Sequence, residues 1–317
     1  MKNKKHDGGL RSKLKKENKA VNKSPAGAVT LNRVHLPYAA AAVFAFICLT
    51  SIFTGLLSPY SESYMDPSTQ MQAPGISHIF GTDTLGRDMF SMILYGGRVS
   101  IYIGLLATLI STFIAILYGC TAGLAGERTD DLMMRSVEML LSIPSILLVI
   151  FLQAAWGEAT PTSIAVVIGV CSWMNISKIV RSEVRQIGES DYVLAARTFG
   201  GSFFYIVRRH LAPNFISSIM FMVVSNVGAA IGMEATLSFL GLGLPIETVS
   251  WGSLMSMSET ALLSGNWWII VIPGTFLITT IICLTDIGEY IRKSNNRIYN
   301  NRSEEHTSEL QSHYRIS

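Results

Sequence analysis

Six stretches of this chain carry no charged residue: 38–57, 99–126, 139–157, 159–177, 214–233 and 260–285. Each is about the ~20 residues that a helix needs to cross a bilayer, where every backbone polar group must be satisfied within the segment. Soluble proteins bury apolar helices too, but six charge-poor runs of this length in 317 residues lie far outside ordinary helix statistics. The expected fold is therefore an all-α polytopic membrane protein with six transmembrane helices. The composition agrees, with 49% hydrophobic and only 15% charged residues. Only GEATPT separates the third run from the fourth.

Lysine and arginine set the orientation. Ten precede the first run: Lys2, Lys4, Lys5, Arg11, Lys13, Lys15, Lys16, Lys19, Lys23 and Arg33. With six spans the same side also receives Arg128, Arg135, Lys178, Arg181, Arg185, Arg197, Arg208, Arg209, Arg292, Lys293 and Arg297, and the other side receives Arg87 and Arg98. Both termini are thus expected in the cytoplasm. Residues 1–33 lack the short apolar stretch and small-residue cleavage site of a secretory signal and read as a solvated basic tail that can touch anionic headgroups. Cys48, Cys120, Cys171 and Cys283 all lie in apolar runs at no metal-ligand spacing and read as packing residues.

The expected organisation is a tail at 1–33, a first span at 34–57, an extracytoplasmic segment at 58–98 and a five-helix core at 99–295. In the external segment Phe80, Met89, Phe90, Ile93 and Leu94 recur at helical spacing, which predicts an amphipathic helix on the outer surface ahead of the second span. Gly119, Gly123 and Gly126 suit close helix approach, and Pro144 and Pro273 are expected to kink the third and sixth spans. Residues 302–317, RSEEHTSELQSHYRIS, change composition abruptly and resemble translated sequencing-adapter DNA. A segment foreign to the natural chain is expected to have no part in its fold.

The most informative soluble stretch is SDYVLAARTFGGSFFYIVRRHLAPN, residues 190–214. Ser190 or Asp191 can cap a short helix whose Tyr192, Ala195, Ala196 and Phe199 share one face. Gly200 and Gly201 end it. Ser202 can cap a second helix with Phe203, Ile206, Val207 and Leu211 on one face and Arg208 and Arg209 on another, and Pro213 precedes the fifth run. A helix–Gly–helix elbow on the inner face, between the fourth and fifth spans, suits a docking element.

This elbow resembles the EAA loop of binding-protein-dependent ABC importer permeases, a pattern of Glu-Ala-Ala, three residues, Gly, nine residues and Ile-x-Leu-Pro. Ala195, Ala196, Gly200 and Pro213 match it, while Leu194, His210 and Ala212 replace the Glu, Ile and Leu. The segments FGTDTLGRDMFSMILYGGRVS (80–100), LLSIPSILL (140–148), EATLSFLGLGLP (234–245) and SWGSLMS (250–256) are similar to the dipeptide, oligopeptide and nickel branch, most like the second permease of the pair. The resemblance covers roughly residues 36–295. It implies a permease subunit in a bacterial cytoplasmic membrane, paired with a homologous permease, two cytoplasmic ATPases and an extracytoplasmic solute-binding protein. It further implies that Ala195, Ala196, Arg197, Gly200, Gly201 and Pro213 form the ATPase-coupling elbow.

The other residues agree with a subunit that does no chemistry and needs no cofactor. The sequence has no G-x-x-x-x-G-K-[ST] phosphate loop. His6, His35, His78 and His210 are scattered, with no HExxH spacing for a metal. Glu234 is the one acid near a span interior. It reads either as a polar group at an outer gate or pore, or as an interfacial carboxylate bonded to nearby backbone. An ion-coupled secondary transporter would need ionisable or broken-helix sites at mid-membrane and often inverted repeats. A scaffold or sensor anchor would give no reason for the elbow. Substrate class, whether dipeptide, oligopeptide, nickel or a metallophore, is not written in these residues.

Overall fold

A computed structural model describes residues 37–245, 247–257, 261 and 264–314. Of residues 197, 203, 210, 213, 214 and 295–314 it describes the backbone alone. The basic tail and residues 315–317 lie outside the described residues. Within the unit that begins at Leu36, helices α1 (Tyr38–Ile52) and α2 (Thr54–Leu57) come first, followed by an irregular segment with a short 3₁₀ turn at Pro67–Thr69. The core then runs through α3 (Met89–Leu124), α4 (Glu127–Leu141), α5 (Ser145–Trp156), α6 (Pro161–Ser172) and α7 (Met174–Gly188). The elbow supplies α8 (Asp191–Thr198), α9 (Phe203–Ile206) and a π-helical stretch Val207–Leu211. Helices α10 (Ala212–Phe239), α11 (Trp251–Ser256) and α12 (Trp268–Tyr314) complete the order.

Three helices are each long and apolar enough to cross a membrane: Met89–Leu124, Phe215–Phe239 within α10, and Trp268–Ser294 within α12. The pairs α4–α5 and α6–α7 each qualify if a broken helix is counted as one span, which raises the number to five. Between 33% and 44% of the residues in the three long windows are buried, so most of these apolar faces point outward. Leu109, Phe113, Phe151 and Ile278 are among the exposed apolar side chains of the helices. In water this would be an aggregation surface, whereas lipid is as apolar as leucine and leaves the outward faces without a penalty. The chain is an all-helical multi-pass membrane protein.

Two sequence expectations change in detail, the surface helix before the second run and the unbroken fourth run, while the kink expected at Pro144 is present. Among the described residues no separate amphipathic helix precedes the second run. Met89 already begins α3, and Met89, Met92, Ile93 and Leu94 are buried in the core. Asp88 caps this 36-residue helix by accepting from the Ser91 amide at 2.9 Å, and nothing between 89 and 124 breaks it. The third run is not a straight span. Helix α4 ends at Leu141, Pro144 caps the start of α5, and their axes differ by 87°. Proline cannot donate the i→i−4 bond and its ring clashes with the preceding turn. Helix α5 alone is ~18 Å long at 1.5 Å per residue. The fourth run bends by 46° at Trp173. Pro273, by contrast, is carried inside α12 near its start.

Close packing unites the core. An added Cβ on Gly119 would stand 2.7 Å from the Ser177 carbonyl oxygen, and one on Gly123 would stand 2.8 Å from Val184 Cγ1 and 2.9 Å from the Arg181 carbonyl oxygen. The two glycines therefore seat α3 directly on α7, as their spacing predicts. The four cysteines are free, three buried and Cys48 partly so, in accord with a packing role.

Candidate functional site

The elbow emerges where the sequence places it. The Ser190 carbonyl accepts from the Val193 and Leu194 amides, both at 3.0 Å, opening α8. At the far end Gly200 has φ +80°, and the Gly201 amide donates to the Ala196 carbonyl at 2.9 Å. This is a left-handed helix stop, which favours glycine because a Cβ would crowd the next carbonyl. The Tyr205 amide reaches Ser202 Oγ at 3.4 Å, so Ser202 caps the return as expected. Beyond it the chain widens into the π-helical turn before α10.

Among the described side chains of α8, one is fully buried. Val193 joins Val180, Val184, Ile206, Leu211 and Phe215 in a cluster shared by α7, the elbow and α10. Tyr192, Ala195, Ala196 and Phe199 do share a face, and that face turns outward: Phe199 is 89% exposed and Phe204 on α9 is 73% exposed. Arg208 and Arg209 are exposed, opposite the buried Ile206 and Leu211. The side chains of Arg197, Phe203, His210 and Pro213 lie outside the described residues. The elbow is thus a glycine-stopped turn, pinned at a few points, that leaves Phe199 and Phe204 largely exposed.

Glu234 stands apart from the elbow, 22 residues past Ala212 on α10, or about 33 Å along the axis. It is fully buried. Its Oε1 accepts from Ser250 Oγ at 2.6 Å and Ser238 Oγ at 2.9 Å, and its Oε2 accepts from Ser100 Oγ at 3.3 Å. Hydroxyls from three segments hold the carboxyl group, in place of the nearby backbone that an interfacial carboxylate would use. Ser250 also forms a capping box with Ser253 that starts α11, and the Trp251 amide donates to Ser100 Oγ at 3.1 Å. The Trp251 ring nitrogen donates to the Ile93 carbonyl at 3.0 Å. One carboxylate therefore joins α3, α10 and α11.

Sequence reasoning missed two polar groupings. Outside the spans, Asp83 accepts from Arg87 Nε at 2.7 Å, and Asp88 shares its Oδ1 with His78 Nδ1 at 2.9 Å. All four side chains are buried, against the base of α3. In the same segment the Ser68 hydroxyl and amide hold the Asp66 carboxyl below its ordinary range. On α4, Asp130 is gripped by Arg181 and Arg185 of α7. The partners are 51 and 55 residues away, so no local spacing could have announced them. Among the described residues no group of three or more His, Cys, Asp or Glu side chains is placed to hold a metal ion.

Comparison with known proteins places these features in context. A family model described as the binding-protein-dependent transport system inner membrane component matches residues 115–293, a range that includes the elbow, Glu234 and Asp130. The chain is 37% identical over 259 residues to the dipeptide transport system permease protein of Bacillus subtilis, covering 82% of this chain and 81% of that one. It is 34% identical over 250 residues to the oligopeptide transport system permease protein of the same organism, covering 79% and 81%. It is 31% identical over 257 residues to a probable D,D-dipeptide transport system permease protein of Escherichia coli, covering 81% and 86%. Among solved structures, a chain of the MetNI methionine ABC transporter in inward-facing conformations superposes with a TM-score of 0.53 at 16% identity. That match covers 65% of this chain and 97% of the other, and speaks to the fold alone.

Proposed function

The chain belongs to the family of binding-protein-dependent transport system inner membrane components, and on that premise we propose that it is one permease subunit of an ATP-driven importer of peptides in a bacterial cytoplasmic membrane. It pairs with a homologous permease to form the pathway. Two cytoplasmic ATPases drive the alternation, and an extracytoplasmic binding protein delivers the solute. Relatives named for dipeptides and oligopeptides favour peptides over nickel or a metallophore. An ion-coupled carrier is the less favoured reading, because it gives no use to the elbow.

The observation that carries this reading is the outward aromatic face of the elbow. Phe199 and Phe204 are exposed beside a helix stop that holds them in place. Outside lipid, a cluster of exposed rings on a preorganised turn is the signature of a protein interface. In this reading Ala195, Ala196, Arg197, Gly200, Gly201 and Pro213 form the coupling elbow that seats in an ATPase. The test is co-expression with the ATPase subunits of a peptide importer: the permease should retain them through purification and support ATP-dependent uptake in vesicles. Uptake that follows an ion gradient with no ATPase present would overturn it.

Six spans are part of the same proposal. Helices α1 and α2 together with the intervening Phe53 extend over Tyr38–Leu57, about 30 Å if straight, and join the five candidates above. On this proposal both termini and the elbow lie in the cytoplasm and residues 58–88 lie outside, in accord with the lysine and arginine distribution. Cysteines introduced at Ser63 or Thr69 should react with an impermeant thiol reagent from outside. Those at Gln186 or Ser202 should react only after the membrane is opened, and equal labelling at all four would reject the arrangement.

Glu234 has its place at the outer gate in this reading. By accepting from Ser250 it fixes the start of α11 against two spans. Its work is to hold that segment in register, with no need to touch the solute.

A further inference from the structure

Helix α4 is attached to the rest of the chain in an unusual way. Of its 15 residues only Asp130 and Val137 are buried, so little apolar surface glues it down. Polar contacts hold it instead. Tyr118 Oη donates to the Met133 carbonyl at 3.0 Å and lies 2.8 Å from Ser136 Oγ. Asp130, with its side chain 3% exposed, takes Arg181 Nε on Oδ1 at 2.8 Å. Its Oδ2 takes Arg181 Nη2 and, at 2.8 Å, Arg185 Nη1.

Both ends of α4 are breaks in the helical path that can act as hinges. Ala125 and Gly126 are extended, with ψ 163° and 158°, before α4 begins. At the other end Ser142, Ile143 and Pro144 are exposed, and the chain turns by 87° into α5. Helix α7, which carries both arginines, leads within three residues into the elbow helix α8. A cavity of about 270 Å³ lies at that junction, with Gly123, Asp130, Arg185, Gly188, Glu189 and Leu194 among its lining. The clamp and the start of the elbow thus border one cavity.

We infer that Asp130 is a positioning residue for transport: gripped by Arg181 and Arg185, it sets the angle of α4 against α7 and carries movement of the elbow to the break at Ser142–Pro144 in the third span. The inference rests on the permease reading above and adds a route by which the elbow acts on the membrane helices. A helix fixed by apolar packing would resist rotation along its whole length. One fixed by a bidentate ion pair between two hinges turns with whatever holds the pair.

The experiment uses the complete transporter with its ATPases, the permease cysteines replaced by alanine, and spin labels at Met139 on α4 and Ser182 on α7. The distance between labels is measured without nucleotide and after trapping with ATP and vanadate. In the parent protein the distance should shift on trapping. Asp130→Asn should keep its ATPases and hydrolyse ATP but lose the shift, and Asp130→Glu should keep it. The side chain of Arg185 is half exposed, so Arg185→Gln provides a variant that folds if Asp130→Asn does not, and it should reduce the shift. An unchanged shift in Asp130→Asn, or in Arg185→Gln where that variant has to decide, overturns the inference. So does a parent transporter that hydrolyses ATP with no shift, which leaves the permease reading intact. A parent chain that binds no ATPase at all overturns the permease reading, and the clamp with it.

Discussion

The surroundings of Glu234 and the elbow at 190–213 solve opposite problems. Glu234 is sealed, with both oxygens engaged by hydroxyls from three segments and the capping box of α11 built on one of them. The elbow presents Phe199 and Phe204 outward and anchors α8 chiefly through Val193. A buried carboxylate left without partners is costly, so its region must be complete within this chain. Exposed aromatics cost little until a partner covers them, so the elbow can remain incomplete alone. Damage near Glu234 should therefore appear as lost folding, and damage at the elbow as lost coupling.

Glu234→Ala should break that comparison most severely. It strands three hydroxyl donors in a dry site, at about 1–3 kcal/mol each where no new partner is found. The variant should give little protein surviving detergent extraction and a Tm well below the parent. Glu234→Gln keeps the shape and can still accept, so it should recover most of the yield. A Glu234→Ala transporter with parental Tm and transport would remove the structural role and favour direct contact with the solute.

Next comes Gly200→Val. The left-handed φ of +80° is strained for a β-branched residue, although a Cβ would meet no other atom within 4 Å. The cost is thus conformational, about 1–2 kcal/mol, and local to the turn. Insertion and pairing with the second permease should survive, while ATPase retention and stimulated ATP hydrolysis fall together. Retention at the parental level would mean that Gly200 ends a surface helix and nothing more.

Smaller effects sharpen the contrast. Arg197→Glu should weaken ATPase retention modestly, because a rim charge at an interface counts for less than backbone shape. Deleting 302–317 should change neither assembly nor transport. The backbone of 302–314 prolongs α12, far along the chain from both regions compared here. A clear loss of transport on that deletion alone would show that the segment belongs to the working protein.

Much of this architecture follows from short-range pattern. Charge-free runs locate the apolar helices, Gly200 and Gly201 mark the turn, and Gly119 and Gly123 mark a close helix contact, because each depends on neighbours within a few residues. The details that local pattern missed or left open sit where it is ambiguous. Phe80 and Met89–Leu94 have helical spacing, yet nothing in that spacing tells a surface helix from the first turns of a longer one. Pro144 signals a disturbance, and only packing sets the bend at 87°.

What the amino-acid sequence determined by itself is the class of molecule, since so many long, charge-free apolar segments suit a bilayer and a helix satisfies the whole backbone of each within the segment. It also determined the elbow, whose stop is a property of one glycine and its two neighbouring turns. The tertiary structure alone decided which polar groups meet. Ser100 and Ser250 are 134 and 16 residues from Glu234, and Arg181 is 51 residues from Asp130. Such pairings carry no periodicity, because they arise when helices that formed independently pack and leave a buried charge only one set of donors within reach.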